Sequence, residues 1–388
     1  MKRANTLCVV AALIIMTVAA PAASLRSVCY ASAAPQAATS IYSTFRDQTD
    51  RVHGSLRSRT NVFTAPTTVA IRLQRFMNSN SFRTTETRDL AAEIDGPSGV
   101  EIWTAAEQHL VTVESLRVHY IESGTGRAVV MIHGNAGGVE DFELGVMQLL
   151  SREYRVIAID RPGHGSSDRP AEKSATVEYQ AQLLHRTLSH LGVAQPVLIG
   201  HSWGAALALA YALKYPDEVS ALVLLAPAAY PDAGVNGLLR MTIRTPVLRD
   251  LSLLLGRSTF GRRRLKRDLA RAFYPQMVPE NYFKMASSSW LGRKQFKAYL
   301  EDEWSLNDSL KKMSKRYIEI SIPVVIVTGA EDKIVSPKEN AYRLQTTIRG
   351  SQLIELKNAG HEIPQTHPDS VYAALALISS ASDSSCQN

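Results

Sequence analysis

The chain has 388 residues, 45% apolar and 20% charged, which suits a large globular core and argues against an extensively disordered chain. Its three cysteines, Cys8, Cys29 and Cys386, are too few and too scattered for a disulfide framework or a metal-ligand spacing, and nothing in the sequence implies a metal or organic cofactor. Net charge is +7, but Lys and Arg outnumber Asp and Glu 18 to 9 between Pro231 and Ile322; the excess belongs to one stretch, and no reading motif for nucleic acid accompanies it.

The chain opens with the layout of an export signal. Lys2 and Arg3 form a positive region, Leu7 to Ala20 is an apolar run, and small residues follow at Ala20-Pro21-Ala22 and Ala31-Ser32-Ala33. Residues 1–33 are read as a signal peptide or an uncleaved N-terminal anchor, which places the functional domain outside the cytoplasm, either periplasmic or extracellular. Residues 34–108, rich in Ser, Thr, Ala and Arg with short apolar patches such as Val69 to Phe76, read as a poorly ordered arm without visible chemistry.

From residue 109 the pattern becomes regular. Leu110 to Glu122 alternates and predicts two antiparallel edge strands. Ala128 to Ile132 is continuously apolar, as a central parallel strand should be. Phe142 to Leu150 reads as a helix, Tyr154 to Ile159 as a strand, and Val177 to Leu191 as a helix through Leu184, Leu188 and Leu191. Further strands are expected at Pro196 to Ile199, Ala221 to Leu225, Pro323 to Val327 and Gln352 to Leu356, with a closing helix over Val371 to Ile378. This alternation predicts an α/β fold whose mostly parallel sheet carries helices on both faces, with ligands at the carboxyl ends of the strands. The core is divided between residues 109–230 and 321–388. Residues 231–320, with helical patterns at Leu265 to Phe273 and Phe296 to Trp304, read as a helical cap over those strand ends.

Gly200-His201-Ser202-Trp203-Gly204 has the form G-x-S-x-G between an expected strand and the helix formers Ala205 to Lys214. That context marks a nucleophile elbow, which lifts the Ser202 hydroxyl clear of the sheet beside a helix N-terminus. A serine hydroxyl needs a base, and the base an orienting acid. Two later strand ends supply Gly329-Ala330-Glu331-Asp332 and Asn358-Ala359-Gly360-His361, giving the order Ser202, Asp332, His361. In this reading His361 takes the proton of Ser202, and Asp332 fixes the tautomer of His361. Glu331 and Asp232 are the competitors for the acid. His133 is read as holding its loop by hydrogen bonds, His164 and His201 as structural, and Asp160 and Arg161 as fixing their own loop. Phe142, Trp203, Trp290 and Trp304 fit an apolar pocket or the core, with the core favoured for most of them. The run Arg262-Arg263-Arg264 with Lys266-Arg267 reads as a solvated helix face, or as a contact surface for anionic lipid or an acidic substrate.

From about Val111 onward the chain resembles the α/β-hydrolase family in its serine branch with a helical cap. The resemblance rests on His133-Gly134, the loop Asp160 to Ser167, the Ser202 elbow, Gly329 to Asp332 and Gly360-His361. It implies the same catalytic residues, Ser202, Asp332 and His361, and an oxyanion hole from the backbone N–H groups of Asn135 and Trp203. Haloalkane dehalogenases and epoxide hydrolases share the pattern with Asp as nucleophile, so Ser202 favours an acyl-enzyme. Small carboxylic esters or lactones are the expected substrates. Ser202-Trp203 also resembles proline iminopeptidases, which carry Pro in the oxyanion loop where this chain has Asn135-Ala136-Gly137. Carbon–carbon bond hydrolases of dienol-type acids share the triad and stay open, as does a ligand-binding homologue without turnover.

Overall fold

The computed structural model describes residues 106–143, 145–170, 176–232, 259–290 and 292–385. The expected signal or anchor segment, nearly all of the expected arm and the three cysteines lie outside these residues. Among the described residues no helix is long and apolar enough to cross a membrane.

Eight strands form one sheet: β1 (Glu107–Val113), β2 (Leu116–Ser123), β3 (Ala128–Ile132), β4 (Arg155–Ile159), β5 (Val197–His201), β6 (Ala221–Leu225), β7 (Val324–Gly329) and β8 (Gln352–Leu356). Their spatial order is β1-β2-β4-β3-β5-β6-β7-β8. The β1–β2 and β2–β4 pairs are antiparallel and every other pair is parallel. The edge hairpin expected from alternation is therefore present, with β1 starting at Glu107.

The helices are α1 (Glu140–Glu143), α2 (Val146–Leu150), α3 (Val177–His190), α4 (Trp203–Lys214), α5 (Thr259–Phe273), α6 (Glu280–Ser289), α7 (Arg293–Met313), α8 (Arg343–Thr347), α9 (Ile363–Thr366) and α10 (Pro368–Ser385). The single helix expected over Phe142 to Leu150 is instead two short ones. Gly145 lies between them at φ 128°, a conformation a helix cannot contain.

Strand residues alternate between two apolar layers, as period-2 geometry requires. Val130, Ile132, Leu198, Leu222, Leu224 and Ile326 pack with α3, α4 and the carboxyl half of α7. Val129, Met131, Ile199, Val223, Leu225 and Val327 pack with α1, α2 and α10. Both faces are covered, so β3, β5, β6 and β7 could be almost wholly apolar. The cap has a small core of its own from Leu265, Leu269, Phe273, Tyr282 and Ala286. Strand order reverses between β3 and β5, and an open α/β sheet binds its ligand in the crevice at such a reversal.

Candidate active site

Ser202 follows β5 and precedes α4, with φ 53° and ψ −114°. A non-glycine residue held there stores roughly 1–3 kcal/mol of strain, which the surrounding contacts must impose. The flanking glycines show how. A Cβ on Gly200 would stand 2.5 Å from the Gly204 carbonyl oxygen and 2.6 Å from Ala205 Cα. A Cβ on Gly204 would stand 2.2 Å from the Ile132 carbonyl oxygen. Helix α4 therefore leaves β5 in a turn too tight for side chains and packs directly on the end of β3. The turn is pinned by Ser202 N–H donating to the Leu225 carbonyl at 2.9 Å.

Asp332 follows β7 and His361 follows β8. His361 Nδ1 lies 2.7 Å from Asp332 Oδ2, and both side chains are almost fully buried. The other oxygen of Asp332 accepts from the Ile334 and Val335 N–H groups at 2.7 and 2.9 Å. Burial alone would raise the Asp332 carboxyl, but His361 and these two donors hold it below its usual range. As the ionised acceptor it puts the Nδ1 proton on His361 and leaves Nε2 to act as a base. Burial disfavours the His361 imidazolium, yet the Asp332 charge outweighs it and the pKa is raised. Glu331 is exposed, and the backbone of Asp232 is held by Asn307; neither is the partner of His361.

His201, beside Ser202, brings the histidine loop to the elbow. Its Nε2 lies 2.9 Å from the His361 carbonyl oxygen, and the two imidazole rings are 4.9 Å apart. Burial pushes His201 down to about 3, so it is neutral and donates that hydrogen bond. Among the described residues Ser202 Oγ makes no hydrogen bond to His361 Nε2; such contacts are often long without substrate. His361 N–H also donates to the Ala272 carbonyl at 2.9 Å, tying His361 to the end of α5.

The two expected oxyanion donors sit on either side of the β3–β5 crevice. Trp203 opens α4, where the first N–H groups have no partner within the helix. Asn135 lies in the loop after β3. Its side chain is clamped: Arg161 Nη2 donates to Oδ1 at 3.4 Å, while Nδ2 donates to the Tyr299 carbonyl at 3.2 Å and to Glu303 Oε2 at 3.1 Å. Two backbone donors aimed at a developing oxyanion contribute about 3 kcal/mol each.

Arg161 does more than fix its own loop, which revises the expectation. It is 2% exposed. Its guanidinium donates to the carbonyls of His133 and Gly134 at 3.2 and 3.0 Å, and lies 4.0 Å over the Trp203 ring. It also pairs with Asp302 of α7 at 2.6 Å. Asp302 is wholly buried and further held by His164, Arg169 and Gln180. Burial would raise its carboxyl, but Arg161, His164 and Arg169 hold it at about 2. The cap helix thus sends a carboxylate into the core, and the core's arginine orients the loop bearing Asn135. Gln295 adds to the hold, donating to the Ala136 carbonyl at 2.7 Å.

His133 has the structural role expected: Nδ1 donates to the Gly134 carbonyl at 2.8 Å, and Nε2 accepts from Arg161 N–H at 2.9 Å. Asp160 likewise accepts from Val139 and Ser166 N–H at 2.9 and 2.8 Å. Phe142 and Trp203 are buried core residues, whereas Trp290 and Trp304 are half-buried in the cap. Gln295, Asp302 and Glu303 were missed in the sequence. The available signal was their spacing, one polar face of a long helix that also carries Ala298, Leu306 and Leu310.

Fold and family now coincide. The family model of the α/β-hydrolase fold matches residues 127–368, and the chain belongs to that family. Among curated relatives, the chain is 28% identical over 286 residues to a 2-hydroxy-6-oxononadienedioate/2-hydroxy-6-oxononatrienedioate hydrolase of Burkholderia vietnamiensis, covering 69% of this chain and 93% of the relative. Among solved structures, Cfl2 from Burkholderia cenocepacia superposes with TM-score 0.59 at 24% identity, over 71% of this chain and 95% of that one. An esterase from Exiguobacterium antarcticum superposes with TM-score 0.57 at 22% identity, over 70% and 97%. These superpositions concern the fold; the family and its named relatives make the protein a hydrolase.

Proposed function

We propose that the protein cleaves small carboxylic esters or lactones through an acyl-enzyme on Ser202. The observation that carries this is the buried His361–Asp332 pair at 2.7 Å, joined to the elbow by the His201–His361 hydrogen bond. His361 removes the Ser202 proton as Oγ attacks the carbonyl, and the N–H groups of Asn135 and Trp203 receive the oxyanion. His361 then protonates the leaving alcohol and activates the water that releases the acid. A fluorophosphonate probe labels Ser202, and Ser202→Ala abolishes the label. Folded wild-type protein that resists the probe overturns the proposal.

The second reading, carbon–carbon bond hydrolysis, is favoured by the relatives' named activity. Its substrate class there is a dianion, and among the described residues the site offers little to receive one. The buried cation beside the oxyanion loop, Arg161, is engaged by Asp302, while Glu303 stands against Asn135. Side-by-side turnover of short esters and a dienedioate separates the readings.

Export is part of the proposal, supported by the positive region and apolar run before Ala22; fractionation of the expressing cells tests it. So is contact with anionic lipid through α5, supported by exposed Arg262, Arg263, Lys266 and Arg267 on one side of that helix.

A further inference from the structure

Two neighbouring carboxylates on α7 are treated in opposite ways. Asp302 is surrounded by donors and cations. Glu303 has one donor, Asn135 Nδ2 at 3.1 Å on Oε2. Among the described residues no cation lies within ion-pair distance of Glu303, and Oε1 has no hydrogen-bond partner. Glu303 is nonetheless only partly accessible, at the junction of cap and core. Burial, with Asp302 and Asp232 close by, holds its carboxyl above the usual range. A carboxyl left in such a place without a counter-charge is costly unless something else supplies one.

Its position says what could. Asn135 offers its backbone N–H to the oxyanion and its side-chain amide to Glu303. Arg161 on Oδ1 fixes the amide so that Nδ2 faces Glu303. On the other side, Trp203 Nε1 donates to the carbonyl of Asp302 at 3.4 Å, so this turn of α7 bridges both expected oxyanion residues. Ser202, Asn135, Tyr299 and Glu303 all keep accessible surface although they lie at the cap–core junction. The Asn135–Glu303 and Asn135–Tyr299 hydrogen bonds place Glu303 one side chain away from the loop expected to meet the reacting carbonyl.

We propose that Glu303 is a specificity-determining residue that receives a cationic amino group on the acyl part of the substrate, so that the preferred esters are those of amino acids. This rests on the acyl-transfer reading above and goes beyond it by naming the substrate class. The ammonium supplies the counter-charge that no described residue gives Glu303, and Glu303 anchors the acyl group with its carbonyl toward Asn135 and Trp203. A carboxylate at the same position meets Glu303 as a like charge.

The test is a set of ethyl esters of one shape: alanine (ammonium), isobutyrate (methyl) and methylmalonate monoester (carboxylate), each kcat/KM divided by its uncatalysed rate. The expected order is alanine over isobutyrate by at least tenfold, with the carboxylate last. In Glu303→Gln the alanine-to-isobutyrate ratio falls at least tenfold. Independently of any variant, isopropylammonium competes with isobutyrate ester turnover in the wild type, and 2-propanol at equal concentration does not. A wild-type ratio near one, a ratio unchanged in Glu303→Gln, or equal inhibition by amine and alcohol overturns the inference while leaving the acyl-transfer reading intact. Failure of every ester together with failure of fluorophosphonate labelling overturns both.

Discussion

The site has two rims of different origin. The core rim carries Ser202, Asp332 and His361 on loops after β5, β7 and β8; β5 and β7 are buried, and β8 is a half-exposed edge strand held in parallel register by β7. Among the described residues the cap rim is one helix, α7, whose Gln295, Tyr299 and Glu303 reach the loop after β3 and whose Asp302 reaches Arg161 in the loop after β4. In the proposed reaction the core rim supplies the reacting groups. The cap rim holds the loop bearing Asn135 and adds a carboxyl that, among the described residues, has no cation beside it. The proposals together divide the labour, with chemistry on strand ends and selection on an inserted helix.

The sharpest break between the rims is Ser202→Ala, expected to lower kcat on any accepted ester by about 10⁴-fold or more while leaving stability nearly unchanged. Steady-state kinetics beside a thermal melt reads both. Asp332→Asn should cost on the order of 10³- to 10⁴-fold in kcat, because the wrong tautomer of His361 is then favoured.

The cap rim should fail differently. Asp302→Ala leaves the Arg161 charge buried and uncompensated, at a cost of about 3–5 kcal/mol in denaturant unfolding. Replacing both partners with Arg161→Met and Asp302→Leu should recover much of that stability, yet kcat should stay low. The carbonyls of His133 and Gly134 and the ring of Trp203 would still lack the guanidinium that positions them. Recovery of kcat along with stability would show that Arg161 acts on the fold alone.

A pH profile probes the core rim without substitution. His361 must be neutral to accept the Ser202 proton, and Asp332 raises its pKa. Activity should therefore fall on acidification with a midpoint above the ordinary histidine value of about 6.5. The smallest effect concerns the outer face of the cap. Reversing Lys266 and Arg267 to Glu should weaken sedimentation with phosphatidylglycerol vesicles, by about 1 kcal/mol for each charge removed, and leave soluble ester turnover as it was. Equal binding to neutral vesicles would dismiss lipid recognition by charge.

Much of the core rim was legible in the residues. A strand buried on both faces must be continuously apolar, so β3, β5, β6 and β7 stood out; Asn135, Ser202 and Asp332 fell just past the ends of β3, β5 and β7, and His361 past the edge strand β8. The elbow glycines marked a close approach that their neighbours confirm. The split between α1 and α2 was missed because apolar spacing ran straight through it, while the positive φ of Gly145 lies at the break. The cap was legible only as helical.

The order of residues along the chain therefore fixed which strands would be central, which turn would raise a serine, and which later loops could bring it an imidazole and a carboxylate. Those follow from local pattern and from the geometry of a parallel sheet. Only the folded arrangement decided that Arg161 would reach out of its loop to Asp302, that Asn135 would be held between core and cap, and that Glu303 would meet no cation among the described residues. Whether a charge is paired or stranded depends on neighbours more than a hundred residues away in sequence, and spacing along one helix carries no record of them.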